Sequence, residues 1–539
     1  MKDGYELWKG RCPGGMERKT LGEKTIETFP GLMDNLYQAL RHTAERFPQR
    51  PAVTDNYGKT SSYAQLLEQT EILAEFLGKE KQIGEGTHVG LILYNSVEFC
   101  TAFLALQKLG AVAVPLPGKF RKSEVLPLAC RAEAEYIICD EAYAGWFPEI
   151  YPREKMVVVT DAEKGWGYSD EYRAAGFNVK TSGRDPYPGG GWEKPAIIMF
   201  TSGTTSKSKG VLLKNYNIMH AVEVYRRTLG ITERDVSVIA TPIYHITGLV
   251  ALLGLFVYTG GHLYLHKFFD GARIVEEARR YGFTFIHASP TAFNLIIQAG
   301  EGTPSIESLR SFACGSSNMP KDKLRRLHRW LPKSSFHTVY GLTETTSPGT
   351  VFPEDAASSP YIGSSGLPVP GTRFKITDEN GKELEDGQVG EICISGTLVP
   401  DGYYKQISDT LRDGWLRTGD LGYFNRDGYL FVVDRIKNMI NRGGEKIWCF
   451  DVENELEMMD GIQDAAVTGI PDDLYGEVAA AVVCLEPGSG LKQESIQQYL
   501  GERIARYKVP VKIKIVDKVP QTPNGKTDKI AIRKMLMEE

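Results

Sequence analysis

The chain has 539 residues, 42% hydrophobic and 24% charged, with a formal net charge of −5. These are the proportions of an ordinary globular protein long enough for more than one domain, and the negative balance argues against nucleic-acid binding by bulk electrostatics. The eight cysteines (Cys12, Cys100, Cys130, Cys139, Cys314, Cys393, Cys449, Cys484) form no Cys-x-x-Cys pair, so neither a zinc knuckle nor a disulfide framework is expected, and reduced thiols in a cytoplasmic enzyme are the simple reading.

The start, Met1-Lys2-Asp3-Gly4-Tyr5-Glu6-Leu7-Trp8-Lys9, lacks the apolar segment of a signal peptide. After a polar leader, Leu32, Leu36, Leu40 and Ala44 at helical spacing predict a helix over about 32–47. Residues 89–93 read as a buried strand, Asn95-Ser96 as the N-cap of a helix over 97–109, and 111–115 as the next strand. That βαβ unit implies a parallel sheet. Further strands are predicted at 136–138 and 156–159, then a Gly- and Pro-rich loop at 185–191 and a buried strand at 196–200.

That last strand runs into Phe200-Thr201-Ser202-Gly203-Thr204-Thr205-Ser206-Lys207-Ser208-Lys209-Gly210. Such a loop offers backbone N–H groups, hydroxyls and ammonium charge to phosphate oxygens. It is not a Walker A loop, because no glycine directly precedes Lys207 or Lys209. By itself it reads as a solvated turn, and Lys207 as a solvated lysine.

A second α/β stretch spans 236–339. Its most apolar part, 249–257, is bounded by glycines and too short to span a bilayer; it is predicted as a buried helix, with no integral membrane association. Between 363 and 430 strands are short and turns frequent, as in Glu379-Asn380-Gly381, Asp386-Gly387 and Arg426-Asp427-Gly428, which predicts a small β-rich subdomain. Beyond Arg435 a compact block has predicted strands at 464–470, 478–485 and 511–516 and a helix at 493–507. The pattern is α/β overall.

Several segments join the Ser/Thr loop: Pro242-Ile243-Tyr244-His245, Tyr340-Gly341-Leu342-Thr343-Glu344-Thr345, Gly414-Trp415-Leu416-Arg417-Thr418-Gly419-Asp420, Asp434-Arg435-Ile436-Lys437-Asn438, Arg442-Gly443-Gly444-Glu445-Lys446-Ile447 and Pro520-Gln521-Thr522-Pro523-Asn524-Gly525-Lys526. In this order and spacing they resemble the adenylate-forming superfamily of acyl- and aryl-CoA synthetases, nonribosomal adenylation domains and firefly luciferase. The resemblance runs from about Leu32 to the end and is nearest to acyl- or aryl-CoA ligases. It implies a large N-terminal domain, 1–435, of two α/β subdomains plus the β-rich subdomain, followed by a small mobile α+β C-terminal domain, 436–539.

The resemblance also implies ATP, Mg²⁺ and coenzyme A as reactants, and a two-step reaction. A carboxylate attacks the α-phosphate of ATP, and a thiol then displaces AMP. Thr201, Ser202, Gly203, Thr204, Thr205 and Lys209 are expected around the β- and γ-phosphates. Tyr340 and Gly341 are expected at adenine, and Gly315, Ser316 and Ser317 along the base and acyl pocket. Thr343 is expected at the α-phosphate, and Glu344 as the Mg²⁺ ligand, since hard cations take carboxylate oxygen. Asp420 and Arg435 are expected at the ribose. Lys526 is the expected electrostatic catalyst and Lys437 the hinge. His245 is the expected gate, and Gly443 and Gly444 the expected passage for pantetheine.

Outside its Pro-x-Tyr-His context His245 reads as a structural histidine, as the other histidines do; Tyr244 reads equally as pocket wall or core, and Gly443-Gly444 alone as a tight turn. The chain departs from the family at Ser206 and Ser208, where Gly and Pro are usual, at Cys449, where proline is usual, and at Glu445-Lys446. The Arg-Gly-Gly-Glu-Lys-Ile run also resembles stand-alone aryl-acid ligases. The acceptor therefore stays open between CoA, favoured by Arg506-Tyr507-Lys508-Val509-Pro510, and a carrier-protein phosphopantetheine. A silent nucleotide sensor is a different class, and Lys209, Glu344, Asp420 and Lys526 argue against it. Near 222–226, 244–248, 314–317 and 341–348 the only evident charge partner is Arg226, so the expected acid is an aromatic or medium-chain monocarboxylate. A monomer or homodimer is expected.

Overall fold

The computed structural model describes the chain apart from Pro13, Glu23, residues 161–166, 169–190, 202–207, 316–318, Pro320, 523–526 and Glu539, and apart from the side chains of Gly167, Tyr168 and Asp322. Its first sheet runs Gly167–Tyr168, Met156–Thr160, Tyr136–Asp140, His88–Ile92, Val112–Pro115, Pro195–Thr201, Lys209–Lys214. The strands from Met156–Thr160 to Pro195–Thr201 are parallel, as the βαβ pattern requires, and the last two form an antiparallel pair. Helix Val97–Leu109 is the crossover and is buried along its whole length. Ser96 caps it by accepting from the Phe99 N–H at 3.1 Å, and Gly110, at φ 68°, ends it in the left-handed conformation that glycine takes most easily.

Two smaller sheets carry the second α/β stretch. One orders Val236–Ile239, His262–Leu265, Pro51–Thr54 and Thr60–Ser62, so it borrows a hairpin from near the N-terminus. The other orders Phe285–Ala288, Ser311–Cys314 and Ser335–Tyr340 in parallel, followed by Thr350–Val351 and Leu367–Pro368. The parallel register pairs Ala288 with Cys314 and Cys314 with Thr338. Their carboxyl ends therefore open on one edge, where ligands of open α/β sheets bind. The apolar segment 249–257 is helical, as π-helix Thr247–Gly254 and helix Leu255–Thr259. Among the described residues no helix is long and apolar enough to cross a membrane.

The β-rich part is a six-stranded sheet of Lys2–Asp3, Thr372–Thr377, Gly390–Gly396, Trp415–Phe424 and Leu411–Arg412, with Leu430–Arg435 beside Trp415–Phe424. The polar leader is thus structured. Lys2–Asp3 adds an edge strand, Glu17–Leu21 and Lys24–Thr28 form a hairpin, and Trp8 and Phe29 are buried. Its alternating pattern is weak because two-stranded and edge elements bury little surface.

The last block builds its own sheet from Ile440–Arg442, Glu445–Ile447, Ile462–Asp472, Gly476–Leu485 and Lys512–Ile515. The helix expected over 493–507 ends at Gly501. Ile496, Leu500 and Ile504 keep helical spacing and join one apolar cluster, but Ile504 reaches it from a turn. Glycine at 501 is a poor helix former, and the chain must turn there to lay Lys512–Ile515 beside Gly476–Leu485. Lys323, on helix Lys321–Trp330, reaches Glu457 of this block at 3.4 Å.

All eight cysteines are free.

Candidate active site

Lys209 opens strand Lys209–Lys214, paired in antiparallel register with Thr201 at the end of Pro195–Thr201. The Ser/Thr loop therefore joins two arms of a hairpin, unlike a strand-to-helix phosphate loop. Ser202, Gly203, Thr204, Thr205, Ser206 and Lys207 lie outside the described residues. Ser208, a departure from the family pattern, is tied down through its carbonyl, which accepts from Arg131 at 2.8 Å.

Residues 402–406 lie across this hairpin: the Tyr404 N–H donates to the Gly210 carbonyl at 2.8 Å, and Tyr403 bridges Val211. A polar chain results. The Lys209 ammonium donates to Ser408 Oγ at 2.8 Å, which is 2.8 Å from Thr410 Oγ1. Thr410 is 3.2 Å from the Tyr403 hydroxyl, which donates to Glu344 Oε1, also at 3.2 Å. Tyr403, Ser408 and Thr410 were not singled out in the sequence. The only signal was a turn-rich Asp401-Gly402-Tyr403-Tyr404 run, and no local rule places it against Lys209.

Glu344 sits on the short 3₁₀ turn Thr343–Thr345 after strand Ser335–Tyr340. Burial raises its carboxyl above the usual range, only partly offset by the Tyr403 hydrogen bond and the charges of Arg435 and Lys209. The loop is tightly wound. A Cβ on Gly341 would lie 1.7 Å from the Ser347 carbonyl oxygen, so only glycine fits. Thr346 and Ser347 have φ of 54° and 97°, a conformation that non-glycine residues take at a cost and that concentrates at functional sites. Thr346 donates to the Leu398 carbonyl at 2.7 Å, and Ser347 Oγ meets the Tyr225 hydroxyl at 2.9 Å.

A second polar assembly is built on two antiparallel strands. Register sets Asp420 of Trp415–Phe424 directly across from Arg435 of Leu430–Arg435. The Arg435 Nε lies 2.8 Å from Asp420 Oδ1, and the Tyr340 hydroxyl donates to Asp420 Oδ2 at 2.8 Å. The Asp420 carboxylate is 5% exposed, whereas Arg435 is 37% exposed. Burial and the Asp420 charge push the Tyr340 phenol well up, so its hydroxyl stays a donor.

His245 follows a turn held by Asn95. The Asn95 amide donates to the carbonyls of Ile239, Thr241 and His266 at 3.2, 2.9 and 3.0 Å and accepts from the Ile243 N–H at 2.8 Å. Asn95 is thus a clamp on this loop, and Ser96 alone is the helix cap. His245 rests on Tyr244, ring centroids 4.6 Å apart. Both border a small cleft with Pro117, Phe120, Met199 and Thr201.

Gly315 ends strand Ser311–Cys314, while Ser316 and Ser317 lie outside the described residues. Lys437 is on the 3₁₀ turn Ile436–Asn438 that leads into the last block. Gly443 and Gly444, at φ 59° and 98°, form the turn joining Ile440–Arg442 to Glu445–Ile447, which both positive angles require. The Cys449 N–H donates to Asp434 Oδ2 at 2.7 Å and its thiol to the Asn438 carbonyl at 3.1 Å, ties across the Lys437 turn that proline, with neither an N–H nor a thiol, could not make. Lys526 lies outside the described residues; the flanking Gln521 and Thr527 pair as a bridge.

Residues 40–404 match the model of the AMP-binding enzyme family, and residues 451–526 match that of the AMP-binding enzyme C-terminal domain. The chain belongs to the AMP-binding enzyme family. It is 29% identical to an oxalate–CoA ligase of Arabidopsis thaliana over 525 residues, 95% of this chain and 99% of that protein. It is 34% identical to a feruloyl-CoA synthase of an Amycolatopsis species over 351 residues, 64% of this chain and 70% of that protein. Among solved structures it resembles o-succinylbenzoate coenzyme A synthetase from Bacillus subtilis in complex with ATP and magnesium ion. The TM-score there is 0.79 at 27% identity, over 94% of this chain and 100% of that one.

Proposed function

We propose that the protein is an ATP-dependent acid–thiol ligase that makes an acyl-adenylate from a carboxylic acid and transfers the acyl group to coenzyme A. The observation that carries this reading is the pair of polar assemblies at the mouth of the sheets. One joins Lys209 to Glu344 through Ser408, Thr410 and Tyr403. The other joins Tyr340, Asp420 and Arg435. Between them they supply cation, carboxylate and hydroxyl groups of the kinds that bind a nucleoside triphosphate.

In the first step a carboxylate oxygen attacks the α-phosphorus, the bond to the bridging oxygen breaks, and pyrophosphate leaves. In the second a thiol sulfur attacks the acyl carbonyl and AMP leaves. Asp420 accepts from the ribose hydroxyls through the lone pairs that Arg435 and Tyr340 leave open, and Tyr340 holds its ring against adenine. Lys209 and Thr201 bind the leaving phosphates. Thr343 donates to the α-phosphate, and Lys526 stabilises the charge that builds there. Lys437 is the hinge between the steps, and Gly443 and Gly444 let pantetheine pass.

Glu344 suits a magnesium ion. It is a buried carboxylate held above its usual range, which a divalent cation offsets. Glu344 would hold the ion through carboxylate oxygen, the donor that hard cations take. Magnesium supplies charge neutralisation at the phosphates. The acid is an aromatic or medium-chain monocarboxylate. Pyrophosphate release across a carboxylate panel, with mass spectrometry of products formed with CoA or with a phosphopantetheinylated carrier, tests the reading. Carrier loading without acyl-CoA refutes it, as does an absence of pyrophosphate with every acid.

A further inference from the structure

His287, the last residue but one of strand Phe285–Ala288, is 2% exposed, and its Nδ1 is buried without a hydrogen-bond partner among the described residues. By contrast His220 meets Thr28 at 3.0 Å and the Pro370 carbonyl at 2.9 Å, His337 meets the Phe352 carbonyl at 2.8 Å, and His266, whose Nδ1 is also unpartnered, has Glu277 on its other nitrogen at 2.7 Å. A buried polar group without a partner is rare in a folded protein and calls for a ligand or a function.

Its surroundings locate that ligand. The imidazole stands edge-on to Tyr225, centroids 5.8 Å apart, and to Phe285 at 6.2 Å. A Cβ on Gly315 would lie 3.6 Å from His287 Nε2 and 3.4 Å from the Val339 carbonyl oxygen. The ring therefore backs the glycine assigned to the acyl pocket. Tyr225, beside it, bonds Ser347 on the loop that follows Glu344. Burial alone pushes the imidazole down to about 3, so it is neutral and presents one donor and one acceptor.

The charged groups nearby contact one another. Arg226 makes two bonds of 2.7 Å to Glu223, and Arg227 makes one of 2.6 Å. Burial would raise Glu223, but these arginines outweigh it and hold the carboxylate low, so the cluster stays ionised, two guanidinium groups sharing one carboxylate.

We propose that His287 is a specificity-determining residue of the acyl pocket, selecting a monocarboxylic acid whose tail carries a neutral hydroxyl. A hydroxyl both donates and accepts, as the neutral imidazole does. A pocket that pairs a substrate hydroxyl rejects the analogue lacking it, because the buried partner is then left unpaired. The inference rests on the ligase reading.

The test compares kcat/KM for acyl-CoA formation within matched pairs, cinnamic against 4-hydroxycinnamic acid and octanoic against 8-hydroxyoctanoic acid, in the wild type and in His287→Leu and His287→Gln. The wild type should prefer the hydroxylated member of at least one pair by about tenfold or more. His287→Leu should bring that ratio toward one, and His287→Gln, which keeps a donor and an acceptor, should restore part of it. The wild-type ratio needs no variant, so misfolding cannot hide the result. Turnover of the panel with ratios near one in every pair overturns this inference and leaves the ligase reading standing. A ratio unchanged by His287→Leu also overturns it. No turnover of any acid refutes the ligase reading, and this inference falls with it.

Discussion

Asp420→Asn isolates the proposed ribose contact. The carboxylate is 5% exposed and holds Arg435 Nε and the Tyr340 hydroxyl at 2.8 Å each. Asparagine keeps the shape but has a single carbonyl oxygen, so either the phenol or the guanidinium must face an NH₂ group, donor against donor. The lost charge-assisted bond is worth about 1.5–3 kcal/mol, and the lower end applies to the protein alone because Arg435 is 37% exposed and can be hydrated. For ATP, whose two ribose hydroxyls would lose a charged acceptor, the same 1.5–3 kcal/mol corresponds to a rise in Kd of roughly 10- to 150-fold. Calorimetric titration with ATP, 2′-deoxy-ATP and 3′-deoxy-ATP measures it. The wild type should bind the deoxy nucleotides more weakly than ATP, and Asp420→Asn should lose most of that discrimination. If the variant weakens all three nucleotides by the same factor, Asp420 does not touch the ribose and only supports Tyr340 and Arg435.

Tyr403→Phe removes the hydroxyl that links Glu344 to Thr410; with a neutral-to-charged bond of about 1.5 kcal/mol lost, ATP–pyrophosphate exchange should need roughly tenfold more ATP, and an unchanged KM for ATP would remove Tyr403 from the site. Lys526→Ala should slow pyrophosphate release by on the order of 3 kcal/mol in the barrier while sparing thioester formation from supplied acyl-adenylate, and equal damage to both half-reactions would count against its catalytic role. Glu457, facing Lys323 and near Asp464 and Glu453, is pushed by burial from 4.5 up to about 8. A carboxyl raised in this way keeps its proton in the docked arrangement and loses it when exposed. Contact between helix Lys321–Trp330 and the last block should therefore weaken as pH rises from about 4.5 to 8. Hydrogen exchange of that helix, corrected for intrinsic rates, should show protection falling with pH, and the trend should vanish in Glu457→Gln.

What the sequence alone determined was local. The βαβ unit around Val97–Leu109 was legible because its apolar run, its serine cap and its closing glycine all act within a few residues. The segments proposed to meet phosphate, adenine and ribose were legible as ordered motifs, since each packs its glycines and polar groups into a short stretch. Helix 493–507 was read too long because the spacing of Ile496, Leu500 and Ile504 cannot say whether a turn or a helix delivers the last of them to the core. The tertiary structure decided what lies between motifs. It made Asn95 a clamp rather than a cap, because its partners are the carbonyls of Ile239, Thr241 and His266, far along the chain. It brought Tyr403 between Lys209 and Glu344 by laying one loop across the edge of a sheet. It left His287 Nδ1 buried with no partner among the described residues, although nothing in the sequence set this histidine apart from His220 and His337. Hydrogen-bond partners of a buried side chain are chosen by long-range packing, and residue spacing carries no record of them.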